Sequence, residues 1–318
     1  MRVWSFGESG WREGESPAAA FTWFDLTGAD GDALEGLAER FGLHPLAVED
    51  CRSLALHAPK VDDFGSYLFV VLQSVMGGAD GAETEELDAF LGFDFLITYQ
   101  DKESTVRDAA GRTPAESVLA AVAAGIGVRP GPDGVLYELA DRVVDDILPR
   151  VNGLAESLDR MQDELMDVKK VASRHTEVIA IRARAGRIRR VLTSQLSVVL
   201  RLSRGEFPQV SEANRVYFRD IYDHLVRIDL ALEGVREDAE VALSTYLSAV
   251  NNRMSEVMKV LAVVSALMLP GTLISGIFGT NFDSVPGLHS TWGFVIMMAG
   301  MAGIALGMGW FFRRRGWF

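Results

Sequence analysis

The side chains able to do chemistry are few in kind and unevenly placed. The chain has 44 Asp and Glu against 31 Lys and Arg, for a net charge of -13. An acidic balance of this size argues against nucleic acid as a general partner. It suits a protein that handles cations, and it equally suits ordinary solubility. Five histidines, His44, His57, His175, His224 and His289, fall in no HExxH or similar pattern. HPLAVED and LHAPKVDD bring His and Asp close, but at a spacing that names no reaction. A single cysteine, Cys51, excludes an intrachain disulfide and any cysteine-based zinc site. No Walker motif is present. The expectation is a protein that is not an enzyme and carries no resident cofactor.

One set of residues does share a helical face. Met258, Leu261, Ser265, Leu269, Thr272 and Gly276 are spaced by three, four, four, three and four. The stripe is mostly apolar, with small or hydroxyl residues toward one end. It reads either as a close-packed bundle core or as a narrow hydrophobic gate. Pro270 lies within it and frees the carbonyl of Ala266 from its usual helical partner.

The element that must position this stripe is Val260 to Phe278, 19 residues without a charge. At 1.5 Å per residue it roughly matches the hydrocarbon core of a bilayer. A second uncharged stretch, Trp292 to Phe312, has 21 residues. The linker Gly279 to Thr291 is short and polar, so the two read as a transmembrane hairpin. The second span carries Gly303 and Gly307, a small-xxx-small pair, and is assigned to the lipid-facing layer. Arg313, Arg314 and Arg315 follow it directly, whereas the linker has no Lys or Arg. The positive-inside rule then puts both termini in the cytoplasm of a cell (inner) membrane protein. The N-terminal MRVWSFGESG has no apolar run, so no cleavable signal peptide is expected. One hairpin cannot enclose a pore, so ion movement would need several copies around an axis.

Three regions are expected: residues 1–130, 131–256 and 257–318, with a pore helix at 257–279 and an outer helix at 292–312. In the first, Phe21 to Gly28, Tyr67 to Val75 and two runs within Leu87 to Tyr99 read as strands. Ala33 to Phe41, Leu46 to Leu54, Thr105 to Ala110 and Pro114 to Ala124 read as helices. Interspersed strands and helices suggest an α/β domain. Residues 125–134 are rich in Gly and Pro and mark a boundary. From Val135 the pattern is helical, with a bend expected at Pro149. An acidic helix (Asp141, Asp145, Asp146, Asp159, Asp163) precedes a basic one (Arg182, Arg184, Arg187, Arg189, Arg190). The plain expectation is an antiparallel pair with matched charge. Between Pro208 and Pro270 lie 61 residues broken only by Gly234. As one helix they would span roughly 90 Å. A lone helix of that length has no reason to stay straight in water, so packing on the preceding hairpin or on other copies is expected.

The outer end of the first span reads FGTNF, and here the chain resembles the CorA family of magnesium and cobalt transporters, whose signature is aromatic-Gly-Met-Asn-Phe. The run EVMKVLAVVSALMLPGTLISGIFGTNFDSVPGL, Glu256 to Leu288, is similar throughout. So are LHPLAVEDC at Leu43 to Cys51, PKVDDFGSYLFVVL at Pro59 to Leu72, YFRDIYDH at Tyr217 to His224 and the closing RRRGWF.

The resemblance implies a funnel-shaped homopentamer with an α/β/α cytoplasmic domain, a helical stalk and two C-terminal transmembrane helices. It implies that Gly279, Thr280 and Asn281 form the selectivity filter, with a ring of Asn281 at the outer entrance. An amide carbonyl accepts hydrogen bonds from a hydrated Mg²⁺ without stripping its water, and Gly279 allows the tight turn that aims it. The pore would be lined by Ser255, Met258, Leu261, Ser265, Leu269, Thr272 and Gly276. Asp50 and Asp220 would form a regulatory metal sensor between subunits, with Mg²⁺ both substrate and regulatory ligand. The expected partners are lipid, divalent cations and other copies of the chain, and no nucleic acid.

This sequence departs from the family at three places. Thr280 replaces Met, the linker has Pro286-Gly287-Leu288 where a glutamate is common, and Ser255 replaces a frequent Asn. Zinc-transporting relatives carry Gly-Ile-Asn, so Zn²⁺ or another transition metal, possibly coupled to protons, stands as the alternative to Mg²⁺ and Co²⁺.

Overall fold

The computed structural model describes all residues except 9, 54, 77–82, 101–110, 166–170, 281–285, 288, 289 and 318. The helix expected at Thr105 to Ala110 lies outside the described residues. The chain divides into two compact units, Met1–Leu243 and Ser244–Phe318.

The first unit is built on a seven-stranded sheet. Its strands are β1 (Arg2–Gly7), β2 (Gly10–Glu13), β3 (Phe21–Thr27), β4 (Lys60–Asp63), β5 (Tyr67–Met76), β6 (Glu83–Gly92) and β7 (Phe95–Gln100). They lie in the order β2-β1-β3-β7-β6-β5-β4. Only the central β3–β7 pair is parallel; the other pairings are antiparallel. A parallel pair needs a long crossover, and here α1 (Gly31–Phe41), α2 (Pro45–Arg52) and β4 to β6 supply it.

Helices cover both faces of the sheet. Alternate residues Phe24, Leu26, Phe69, Val71, Phe90 and Ile97 meet Leu34, Leu37, Ala47 and Cys51 of α1 and α2. The other face meets α4 (Pro132–Asp145) and α6 (Val171–Ser203). Burial on both sides explains why LFVVL in β5 is a continuous apolar run. The layers are therefore α/β/α.

Local signals set the helix ends. Gly42 stops α1 in the left-handed region at φ 65°. The His44 ring accepts from Leu46 N, and Pro45 opens α2. Thr113 and Glu116 form a capping box at α3 (Pro114–Ala123). Helix α4 ends at Asp145 and α5 (Ile147–Leu165) starts afresh, so Pro149 stands beside a true break rather than inside a bent helix.

A polar chain threads the sheet centre. Trp23 Nε1 donates to Thr98 Oγ1 at 3.0 Å, and Thr98 Oγ1 donates to Asp25 Oδ1 at 2.8 Å. Arg2 Nη2 meets Asp25 Oδ2 at 2.6 Å. Burial nevertheless pushes the Asp25 carboxyl up.

Helix α7 runs from Glu212 to Phe278, through Pro270. Within the first unit it buries Phe218, Ile221, Leu225, Ile228, Leu232, Val235, Ala239 and Ala242. Steps of three and four make one seam, as in coiled-coil packing. Its charged flank meets α6: Arg189 Nε reaches Asp229 at 3.0 Å and Arg182 Nη2 reaches Glu240 at 2.8 Å, and Arg189 also pairs with Glu233. Among the described residues, Arg182 and Arg189 thus pair with α7. Helices α5 and α6 pack on each other, and Leu158, Ile181 and Ile188 are buried.

The second unit holds the rest of α7 and α8 (Thr291–Arg314), the two helices long and apolar enough to cross a membrane. Val263 is buried, and Ala266, Leu267, Pro270, Gly271 and Ile274 are half-buried along the same side. A Cβ on Gly271 would sit 3.4 Å from Met301, which marks the contact with α8.

Candidate metal centre and membrane helices

Two carboxylates and an imidazole converge in the first unit. Asp141 and Asp145 are one turn apart on α4, and His224 faces them from α7. One ligand atom from each lies within 4.8 Å of the others. Burial, then the charges of Asp145 and Glu138, push the Asp141 carboxyl up to about 6, against the opposing effect of His224. Such a set has the ligand chemistry of a divalent-cation site: oxygen ligands suit Mg²⁺, and an added imidazole admits Co²⁺.

Asp220 sits one turn before His224, with Oδ2 at 3.7 Å from Nε2, and its side chain is 60% exposed. It stands at the open edge of this cluster. Asp50 has different company, since Lys60 Nζ donates to Asp50 Oδ2 at 2.7 Å and His57 Nε2 lies 3.6 Å from Oδ1. A single subunit does not pair Asp50 with Asp220. The rest of YFRDIYDH is architectural: the Arg129 guanidinium lies 3.1 Å over the Tyr217 ring, and Phe218 is fully buried.

Asp141, Asp145 and His224 were not singled out as ligands by sequence reasoning. Their signal was present as DRVVD and DIYDH, each with two ligand-type residues four apart. Nothing in the sequence says that these two turns face each other.

In the second unit, Ser255, Met258, Leu261, Ser265, Leu269, Thr272 and Gly276 are all exposed. They occupy the side of α7 opposite Val263 and Ile274. The Thr272 hydroxyl donates to the carbonyls of Leu269 at 2.9 Å and Met268 at 3.1 Å, serving backbone beside the Pro270 disruption. Thr280 Oγ1 donates to Ile277 O at 2.7 Å and Gly279 N to Ser275 O at 2.9 Å. Thr280 therefore caps the helix end with its hydroxyl. Gly279 keeps φ out of the positive region, and its role is close approach: a Cβ would lie 3.2 Å from the Ser275 carbonyl oxygen. Gly293 is tighter still, because a Cβ there would strike Gly287 O at 2.1 Å. A Cβ at Gly303 or Gly307 would meet nothing within 4 Å among the described residues. Asn281, Asp283 and His289 lie outside the described residues.

The family model for CorA-like Mg²⁺ transporter proteins matches residues 18–314. The chain belongs to the CorA family. It is a divalent-cation transporter and not an enzyme. Its two apolar helices are membrane spans. The chain is 30% identical to the cobalt/magnesium transport protein CorA of Thermotoga maritima, over 93% of this chain and 83% of that protein. It is 29% identical to a putative metal ion transporter of Bacillus subtilis, over 96% and 92%. The solved CorA magnesium transporter of Methanocaldococcus jannaschii shares its fold, with TM-score 0.85 and 18% identity over 100% of this chain and 99% of that one. A zinc transport protein of Pectobacterium atrosepticum matches only 57% of this CorA-family chain, at 28% identity. The zinc alternative is thus not favoured.

Proposed function

We propose that this CorA-family protein carries Mg²⁺, and Co²⁺, into the cell through a homopentameric funnel with α7 lining the pore. The observation that carries this reading is the division of α7 into two faces. One face packs on α8, and the other, from Ser255 to Gly276, stays exposed among the described residues. A membrane helix whose small and hydroxyl residues sit on an uncovered face is built to meet other copies of itself around an axis. Met258 and Leu261 narrow the cytoplasmic end, and Asn281 forms the outer ring.

A hydrated Mg²⁺ fits that ring because it gives up water reluctantly. A negative-inside potential drives a divalent ion inward by about 4.6 kcal/mol per 100 mV, without nucleotide hydrolysis. The cytoplasmic domain supplies feedback. Asp50 and Asp220 face across subunit boundaries, where divalent ions offset carboxylate repulsion and hold the pore closed. Asp141, Asp145 and His224 stand beside Asp220 and extend that sensor.

The test is flux of Mg²⁺, Co²⁺ and Zn²⁺ in proteoliposomes of the purified protein, under an imposed potential and with or without a pH gradient. Mg²⁺ flux that follows voltage and ignores the pH gradient is expected, and Asn281→Ala reduces it to background. Zn²⁺ flux that rises with the proton gradient, with little Mg²⁺ movement, would sink the proposal.

A further inference from the structure

A second acidic site lies away from the Asp141–Asp145–His224 cluster, on the other face of the sheet. Glu86 and Asp88 alternate on β6 and point to the same side. That side faces α2, where Cys51 is buried. A cavity of about 440 Å³ opens there, lined by Asp50, Cys51, Glu86, Asp88 and Tyr99 among others.

Asp88 is the telling residue. It is 3% exposed, yet its Oδ1 has no hydrogen-bond partner among the described residues. An orphaned buried carboxylate oxygen costs several kcal/mol if charged, so such groups are paired, protonated or bound to a cation. Its neighbours are mostly of the wrong sign. Glu86 lies beside it on β6, and Asp50 looks in from α2. The nearby basic groups serve its acidic neighbours and not Asp88: Lys60 pairs with Asp50 and Asp62, Arg52 with Glu35, and His57 N donates to Glu86 Oε2 at 2.6 Å. The Cys51 thiol donates to the Asp88 carboxyl, a weak bond to a group that accepts far stronger ones. Burial first, and then Glu86, push the Asp88 carboxyl well up.

We infer that this cavity binds one hydrated Mg²⁺ within each subunit, with Glu86 and Asp88 accepting from its water shell.

Two observations choose a hydrated ion over a caged one. Among the described residues, only Asp141, Asp145 and His224 close to the mutual spacing of a three-ligand cage. The groups around Asp88 are more open, as waters between ion and carboxylate require. The space is also sufficient, since six waters at roughly 30 Å³ each occupy less than half of the cavity. Binding ionises Asp88, whose proton leaves to solvent, and replaces the thiol contact with charge-assisted bonds. The site joins α2 to β6 inside one subunit and uses neither Asp220 nor Asp141.

Mg²⁺ bound per subunit, counted by equilibrium dialysis of the full-length protein in detergent, tests this directly. Wild type is expected to bind one more Mg²⁺ per subunit than Asp88→Asn and than Glu86→Gln. Asp220→Asn and Asp141→Asn retain that extra ion, which separates this site from the Asp220 side of the proposed sensor, whose other carboxylate, Asp50, lines this cavity. Glu86→Gln keeps an acceptor for His57 N, so it guards against misfolding of the more buried Asp88 variant. Equal Mg²⁺ counts in wild type, Asp88→Asn and Glu86→Gln would overturn the inference. So would loss of the same ion in Asp220→Asn.

Discussion

The two units of the chain handle apolar surface in opposite ways. In residues 1–243 the large side chains are inside: Trp23, Phe24, Tyr67, Phe69, Phe90 and Phe218 are all at most 2% exposed. Among the described residues of 244–318 Val263 is the buried apolar residue, while Met258, Leu261, Leu269 and Leu306 are more than 60% exposed. In water the second pattern would be an aggregation hazard. In a bilayer it costs nothing, because lipid is as apolar as leucine. The first unit is held by burial and hydrogen bonds of its own, whereas the second depends on lipid for its environment.

The sharpest way to break this contrast is to cut one large side chain from each unit. Trp23→Ala removes a fully buried ring and the hydrogen bond its indole donates to Thr98, so it should cost about 3–5 kcal/mol. Leu269→Ala should leave the thermal unfolding of the cytoplasmic domain within about 0.5 kcal/mol of wild type, yet change ion flux. Circular dichroism melts beside flux assays measure both, and equal destabilisation would refute the distinction.

A smaller effect concerns titration in the first unit. Cation binding needs an ionised Asp141, whose carboxyl titrates near 6. Divalent affinity at this cluster should therefore be full above that pH and weaken as pH falls through it. Asp141→Asn should flatten the dependence, as read by Mg²⁺ titrations between pH 5 and 8. An unchanged pH profile in that variant would remove Asp141 from the site.

Thr280→Val tests the second unit more gently. It deletes the hydroxyl that caps Ile277 and should cost about 1 kcal/mol at most. Should the variant lose Mg²⁺ selectivity with its helix end intact, Thr280 acts on the ion and not only on the backbone. The smallest effect is expected from Arg182→Ala. Its pair with Glu240 is about half exposed on both sides, and such surface pairs contribute about 0–1 kcal/mol. A larger loss in chemical denaturation would show that α6 and α7 are held by charge and not by their apolar seam.

Legibility in the sequence followed the range of the interaction. The runs Phe21 to Gly28 and Tyr67 to Val75 announced strands because β-branched and aromatic residues cluster there. Strand β1 was passed over, since RVWSFG interleaves Arg and Ser with its apolar residues. It is a strand because Arg2 and Ser5 find partners in Asp25 and Gly14. Strand β4, KVDD, has one apolar residue and is recruited by β5 through backbone pairing.

The membrane hairpin, the uninterrupted α7 and the stripe from Met258 to Gly276 were determined by sequence alone. Each depends on composition and on residues three or four apart, which the helix brings together without outside help. Only the tertiary structure decided that DRVVD on α4 faces DIYDH on α7, that Arg182 and Arg189 serve α7, and that Asp88 is walled in beneath α2. Those groups are far apart in the chain, and their proximity is set by how helices and sheet share apolar faces. Pairing between distant segments leaves no period in the sequence to read.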